Sequence, residues 1–250
     1  MRGGCERGKM NKPTSFLILL PVMMILFFGA VCTAVGAGDA YTAARKDMVL
    51  HQIKSRGIVD PNVVGAMESV LRHEFVPSPR KKDAYTDRPL PIGYGQTISQ
   101  PYIVALMTQL LEVDHDSTVL EVGTGSGYQA AVLAEIVKTV YTVEIVQPLH
   151  ARSKRDLNRL GYKNIKTLNK DGYFGWDVHA PYDAVIVTCA SDFIPPPLIK
   201  QLKPGGRMCI PVGPPFKVQH LVLVTKEETG EISTKVIASV RFVPLTRKEE

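Results

Sequence analysis

Three glycines two residues apart, Gly123, Gly125 and Gly127, with Thr124 and Ser126 between them, follow the apolar run Val119 to Val122 and precede a helix-like segment from Tyr128. Glycines at this spacing remove the Cβ atoms that hold a ligand away from the backbone, and they permit positive φ. A turn of this kind at the C-terminal end of a strand is where open α/β sheets bind nucleotide-like cofactors. The dinucleotide fingerprint GxGxxG needs Gly or Ala where this chain has Tyr128, so NAD and FAD lose ground. Glu144 ends the next apolar run, Thr139 to Val143, where a carboxylate can accept from both hydroxyls of a ribose. The same residues would also serve as a tight strand-to-helix turn in any α/β protein.

The elements around this turn alternate. Apolar runs place strands at 117–122, 139–144, 164–169, 182–188, 206–212 and 219–225, with a last one near 233–242, and helices at 128–137, 148–160 and 195–202. Strands alternating with helices indicate a largely parallel sheet covered on both faces. The last three runs have short connections, so the sheet is expected to finish with antiparallel strands. Upstream, Ala40 to Arg56 has a helical pattern stopped by Gly57, Pro61 begins a helix through Leu71, and Pro101 begins one to Leu111. Between them, Val76 to Gln100 is proline-rich and irregular, and loops that long usually serve a purpose.

The chain has 250 residues, of which 45% are hydrophobic and 22% charged, which suits one globular domain with a full core. Its first residues differ from the rest. Arg2, Arg7, Lys9 and Lys12 precede an uncharged apolar run from Phe16 to Val35, the layout of a secretory signal or an N-terminal membrane anchor. Val35 and Ala37 offer a cleavage site. Residues 1–37 are therefore read as a leader and 38–250 as a single domain, with N-terminal helices and a loop over 38–100 and the core over 101–250. By the positive-inside rule the basic end stays in the cytoplasm and the remainder is exported.

Charge and cysteines narrow the partners. The formal net charge is +6; residues 1–37 hold those four cations against Glu6, which leaves +3 on the remainder. So small a value gives no reason to invoke nucleic acid. Cys5 and Cys32 lie in the leader, and Cys189 and Cys209 sit beside strand-like sequence, which suits buried reduced thiols. No CxxC or HExxH is present, so no metal is expected.

Several segments beyond the glycine turn carry a resemblance. They are Leu90-Pro91-Ile92-Gly93-Tyr94-Gly95-Gln96-Thr97-Ile98-Ser99-Gln100-Pro101, Asp171-Gly172, Pro181-Tyr182-Asp183-Ala184, Leu202-Lys203-Pro204-Gly205-Gly206-Arg207, Ile210-Pro211-Val212-Gly213 and Phe242-Val243-Pro244-Leu245-Thr246. The glycine turn and Pro-Gly-Gly resemble many methyltransferases and mark only the superfamily. Gln-Thr-Ile-Ser-x-Pro combined with the Val-Pro-Leu-Thr tail is far more selective, and it resembles the protein-L-isoaspartate O-methyltransferases from about Ala43 to Arg247.

That resemblance implies a Rossmann-like class I S-adenosylmethionine-dependent methyltransferase: a mostly parallel seven-stranded sheet with helices on both faces and an N-terminal helical extension. It implies methyl transfer from S-adenosylmethionine to the α-carboxylate of isoaspartyl residues in damaged proteins, which begins their repair through succinimide reclosure. The family's active-site serine falls on Ser99, read as a donor that orients the carboxylate; Thr97 and Thr246 fall beside the substrate. On position alone Ser99 would be a helix-entry cap before Pro101. For the cofactor the resemblance implies Gly123, Thr124, Gly125, Ser126 and Gly127 at the methionine and ribose, Glu144 at the ribose, Asp171 and Gly172 at the adenine, and Ile92, Gly93 and Tyr94 in a loop folded over it. Asp171 could equally be a plain turn residue. A carboxylate with a pKa of about 3.5–4 is ionised at neutral pH, so the chemistry needs no general base, and it needs no metal. Departures from the family pattern are Leu168-Asn169-Lys170 before Asp171 and Thr188-Cys189-Ala190-Ser191-Asp192-Phe193 at the cofactor rim.

Partners implied are isoaspartyl proteins and peptides, with the chain a monomer that residues 16–35 tether to a membrane. Location and cofactor pull apart, because S-adenosylmethionine is cytosolic and family members are typically cytoplasmic. Two rival readings stand beside this one. A methyltransferase of a small carboxylic acid or an RNA base is opposed by the modest charge and by the lack of an Asn-Pro-Pro-Tyr-like element after the fourth strand. A cofactor-binding protein without turnover is opposed by the joint presence of Ser99, Glu144 and Asp171.

Overall fold

In the computed structural model, which describes residues 37–247, the chain enters through helix α1 (Ala37–Asp47), a π-helical turn at Met48–Ile53 and a 3-10 turn at Lys54–Arg56. The Asp60 carboxylate then caps α2 (Pro61–Ser69) by accepting from the N–H groups of Asn62 and Val63. Pro61 sits in the first turn, where a missing N–H costs nothing. The apolar run 16–35 lies outside the described residues; among those residues, no helix is long and apolar enough to cross a membrane.

The stretch 76–100 is more ordered than its prolines suggest. It holds a 3-10 turn at Ser78–Asp83, and the hairpin of β1 (Leu90–Gly93) with β2 (Gln96–Ile98), which pair antiparallel. Proline is tolerated in such an isolated pair, where the sheet has only edges, and four residues are too few to register a period. Helix α3 (Pro101–Leu110) follows directly.

The core then runs β3 (Thr118–Val122), α4 (Tyr128–Ala134), β4 (Thr139–Glu144), α5 (Gln147–Arg159), β5 (Ile165–Asn169), β6 (Tyr182–Val187), α6 (Pro196–Lys200), β7 (Leu202–Val212), β8 (Gln219–Lys226) and β9 (Ile232–Val240). The sheet order is β5-β4-β3-β6-β7-β8-β9. The first four pairings are parallel and the last two antiparallel, as the short final connections imply. Helix α6 ends earlier than the sequence pattern suggests because Leu202 already pairs with Tyr182, ahead of an irregular register through Pro204-Gly205-Gly206.

Alternation along the strands divides the core. Val119, Ala184, Ile186 and Cys209 join the cluster built with α1 to α5, and Leu120, Val122, Val185 and Val187 join a second cluster with Leu198. Cys189 belongs to that second cluster, so the two free thiols lie in different parts of the core. Burial pushes the Cys209 thiol up to about 12 and the Cys189 thiol higher still, which keeps both protonated and unreactive. From β3 the chain winds outward through β4 and β5, then returns to lay β6 on the other side of β3. The crevice at such a reversal is where open α/β sheets bind ligands.

Candidate active site

A cleft opens at the carboxyl ends of β3 and β4, with a volume of about 720 Å³ counted to its mouth. Its floor is the glycine turn. Gly123 has φ +98°, and a Cβ there would lie 2.5 Å from the Thr188 hydroxyl oxygen, so neither backbone nor neighbour admits a larger residue. Gly127, with φ +89°, lies outside the cleft lining; a Cβ there would press on Leu157 of α5 at 3.2 Å. Its role is to let α5 pack against the start of α4.

Glu144 governs the shape of this turn. Its carboxylate accepts from the N–H of Gly125 at 2.7 Å and from the N–H of Val146 at 2.8 Å. Two amides on one carboxylate are charge-assisted bonds, stronger than neutral ones. Each oxygen keeps a further lone pair, and Glu144 lines the cleft. Asn169, one of the departures from the family pattern, donates its amide to the carbonyls of Glu144 at 2.6 Å and Ile145 at 3.3 Å, and so pins the strand exit. Among the described residues Glu144 is the one carboxylate in the lining, and no lysine, arginine or histidine lines the cleft. A cofactor with a ribose diol and a positive charge fits this donor and acceptor set.

Beneath the turn lies a relay that sequence reasoning passed over. The Thr124 and Thr142 hydroxyls are 2.6 Å apart, and Thr142 donates to the fully buried Glu121 at 2.5 Å. Burial and the nearby Glu144 carboxylate push the Glu121 carboxyl up to about 8. The signal was present in the sequence as one acid inside an otherwise apolar strand. The folded chain holds this proton between about pH 4.3, the ordinary carboxyl value, and about pH 8, whereas the unfolded chain has released it. Stability therefore falls as pH rises through that window, by up to about 1.4 kcal/mol per pH unit from this group. Glu121→Gln is expected to flatten this slope, so melting temperatures of the two proteins between pH 5 and 8 should converge at the acid end and diverge at the basic end.

The acceptor side is formed by β2 and the tail. Thr97 and Ser99 line the cleft and also a second groove with Ile103, Val218 and Phe242, so they stand where the two cavities meet. Helix α3 takes Gln100 as its N-cap and has no side-chain cap. Ser99 is therefore not a helix cap, and among the described residues its hydroxyl has no hydrogen-bond partner. The tail crosses the cleft as a strap: Ala190 N–H donates to the Val243 carbonyl at 2.8 Å, Leu245 N–H donates to the Ala190 carbonyl at 2.7 Å, and Val243 to Thr246 all line the cavity. Thr188 and Cys189, from the second departure, form part of the wall.

The remaining expected residues lie around the cleft. Gly172 lines it, and a Cβ there would strike Val122. Asp171 does not line it: one carboxylate oxygen accepts from Tyr173 N–H at 3.0 Å and the other from Arg247 Nε at 2.8 Å, while the Arg247 guanidinium covers the Tyr173 ring at 3.7 Å. Asp171 thus fastens the end of the strap. Ile92 is fully buried, with its side chain against Gly125, whereas Gly93 at the end of β1 and Tyr94 in the hairpin turn are exposed and lie outside the lining. The resemblance brings this loop to the cleft as a whole; only the packing shows which of its residues turn inward.

Comparison with known proteins agrees with this architecture. Residues 43–250 match the model of the protein-L-isoaspartate(D-aspartate) O-methyltransferase (PCMT) family. The chain is 51% identical to protein-L-isoaspartate O-methyltransferase 1 of Cupriavidus necator, over 99% of this chain and 100% of that one. It is 54% identical to protein-L-isoaspartate O-methyltransferase 2 of Syntrophobacter fumaroxidans, over 93% and 96% of the two chains. Among solved structures, a protein-L-isoaspartate O-methyltransferase superposes with TM-score 0.75 at 29% identity, covering 81% of this chain and 66% of that chain. A Plasmodium falciparum beta-aspartate methyltransferase (PCMT) structure, in complex with S-adenosyl-L-homocysteine, superposes with TM-score 0.70 at 26% identity, covering 83% and 99%. The cleft, the glycine turn and these matches agree: the chain belongs to the protein-L-isoaspartate(D-aspartate) O-methyltransferase family.

Proposed function

We propose that this chain transfers a methyl group from S-adenosylmethionine to the α-carboxylate of L-isoaspartyl residues in damaged proteins. The observation that carries this reading is the Ser99 hydroxyl, without a hydrogen-bond partner among the described residues, at the junction of the cleft and the second groove. S-adenosylmethionine supplies an already activated methyl on a sulfonium. Glu144 would hold the cofactor's ribose above the glycine turn, with Gly172 at its adenine end. Ser99 donates to the acceptor carboxylate and turns one oxygen toward the methyl, with Thr97 and Thr246 beside it. The acceptor is ionised at neutral pH, so the site removes no proton. The rate gain is then mainly one of proximity, with the reacting oxygen and carbon brought to about 3–3.5 Å in a site closed by the strap. The resulting ester is a better leaving group than the carboxylate, so the substrate recloses to a succinimide whose hydrolysis returns some normal aspartate.

The apolar walls of the groove, Ile103, Val218 and Phe242, demand no particular neighbouring side chain. That suits an enzyme that accepts many damaged proteins through the main-chain kink they share. The test uses labelled S-adenosylmethionine and two peptides that differ only in Asp or isoAsp. Base-labile methyl incorporation into the isoAsp peptide alone is expected. None, with cofactor binding intact by calorimetry, would overturn the acceptor and keep the fold.

The basic residues before an uncharged run at 16–35 support a signal peptide or membrane tether, and hence an exported or membrane-bound enzyme. Fractionation is expected to find it with the membrane or outside the cytoplasm; a soluble cytosolic protein that retains residues 1–37 would overturn this placement.

A further inference from the structure

Behind Ser99 lies the one lysine or arginine that is buried among the described residues. Arg72 is 0% exposed, in a 3-10 turn at Arg72–Phe75, and no carboxylate pairs with it. Its Nε donates to the Ala84 carbonyl and its Nη2 to the Ser99 carbonyl, both at 2.7 Å. Nη1 is buried without a partner. The guanidinium lies 4.7 Å from the ring centroid of Tyr128, the residue that follows the glycine turn and lines the cofactor cleft.

Burying a cation against two neutral carbonyls, with one nitrogen unpaired, costs stability. An apolar side chain would fill the same volume at less cost. What the cation supplies is position and charge. One planar fork ties the backbone of Ser99 to that of Ala84 and stacks both against the start of α4, so the acceptor residue and the cofactor turn share a single rigid contact. Lysine could not do this, because its ammonium is a point donor without the fork. The positive charge lines neither cavity but lies directly behind Ser99, on its carbonyl, and so on the side from which an anionic acceptor at the hydroxyl would be stabilised. Among the described residues the cleft has no cation in its lining, and the groove has only Arg241, which is exposed and screened by solvent.

We propose that Arg72 is a positioning residue for the methyl acceptor, fixing Ser99 through its carbonyl and offsetting the charge of the isoaspartyl carboxylate from behind the serine. The proposal rests on the reading of Ser99 as the donor to that carboxylate. It separates two effects. The fork sets the orientation of Ser99, which acts on kcat; the charge sets acceptor binding, which acts on KM.

The test is Arg72→Lys and Arg72→Met, each in the wild-type protein and in Ser99→Ala, with kcat and KM for an isoaspartyl peptide and Kd for S-adenosylhomocysteine. Arg72→Lys is expected to lower kcat about tenfold with KM little changed, as loss of one or two charge-assisted bonds would. Arg72→Met is expected also to raise KM about tenfold, while Kd stays within about threefold in both. In the Ser99→Ala background Arg72→Lys is expected to cost little further, because it acts through the missing hydroxyl. Wild-type kcat in Arg72→Lys, full additivity with Ser99→Ala, or a parallel loss of cofactor affinity would each overturn the proposal. If Arg72→Met does not fold, the Arg72→Lys arm and its double mutant still decide. Unchanged turnover in Ser99→Ala alone would instead refute the role of Ser99.

Discussion

Ser99→Ala is expected to lower kcat for isoaspartyl methylation by about 10²-fold or more, with the Kd for S-adenosylhomocysteine unchanged. The magnitude is that of removing one preorganised donor from a reaction centre. The side chain is well placed for so selective an effect. Its hydroxyl has no hydrogen-bond partner among the described residues, α3 takes its N-cap from Gln100, and Arg72 grips the Ser99 carbonyl, which alanine keeps. The variant therefore loses nothing that holds the protein together. Single-turnover methylation of the isoAsp peptide, alongside calorimetry with the cofactor product, reads both quantities. Turnover within a factor of two of wild type would remove Ser99 from the mechanism.

Glu144→Ala is expected to have the opposite profile, abolishing cofactor binding first and turnover as a consequence. The carboxylate organises the turn by accepting from Gly125 and Val146, and its remaining lone pairs are the ones a ribose diol would meet. Hydrogen bonds to a charged group contribute about 1.5–3 kcal/mol each. Losing those to the ribose raises Kd by about 10²-fold or more, before any loosening of the turn is counted. Glu144→Gln should fall between, since its amide can accept at one atom only. Calorimetric titration with S-adenosylhomocysteine checks both variants, and a Kd within threefold of wild type in Glu144→Ala would exclude this residue from the cofactor site.

Local signals were sufficient for a large part of this site. A glycine turn between an apolar strand and a helix has few uses, and an acid closing the next strand narrows them. Parallel neighbours place β3 and β4 side by side, so Gly125 and Glu144, nineteen residues apart in sequence, meet at one end of the sheet. The seven strands were legible for the same reason, since each is an apolar run bounded by turns. The β1–β2 hairpin was not, because its four- and three-residue strands carry no period and its prolines argue against any strand.

By itself the sequence determined the fold and the family, and it marked the glycine turn and Ser99 as candidates, because each is encoded in short local motifs. Tertiary structure alone decided the rest, because each remaining contact joins distant segments. Asp171 is taken by Arg247, seventy-six residues later, and becomes the fastening of the strap. Gly127 answers to α5 more than to a ligand, and Ile92 packs beneath the turn while Tyr94 stands in solvent. Arg72 looks in sequence like one more surface cation among thirty lysines and arginines. Only burial, which no local pattern records for a charged residue, places it behind the serine.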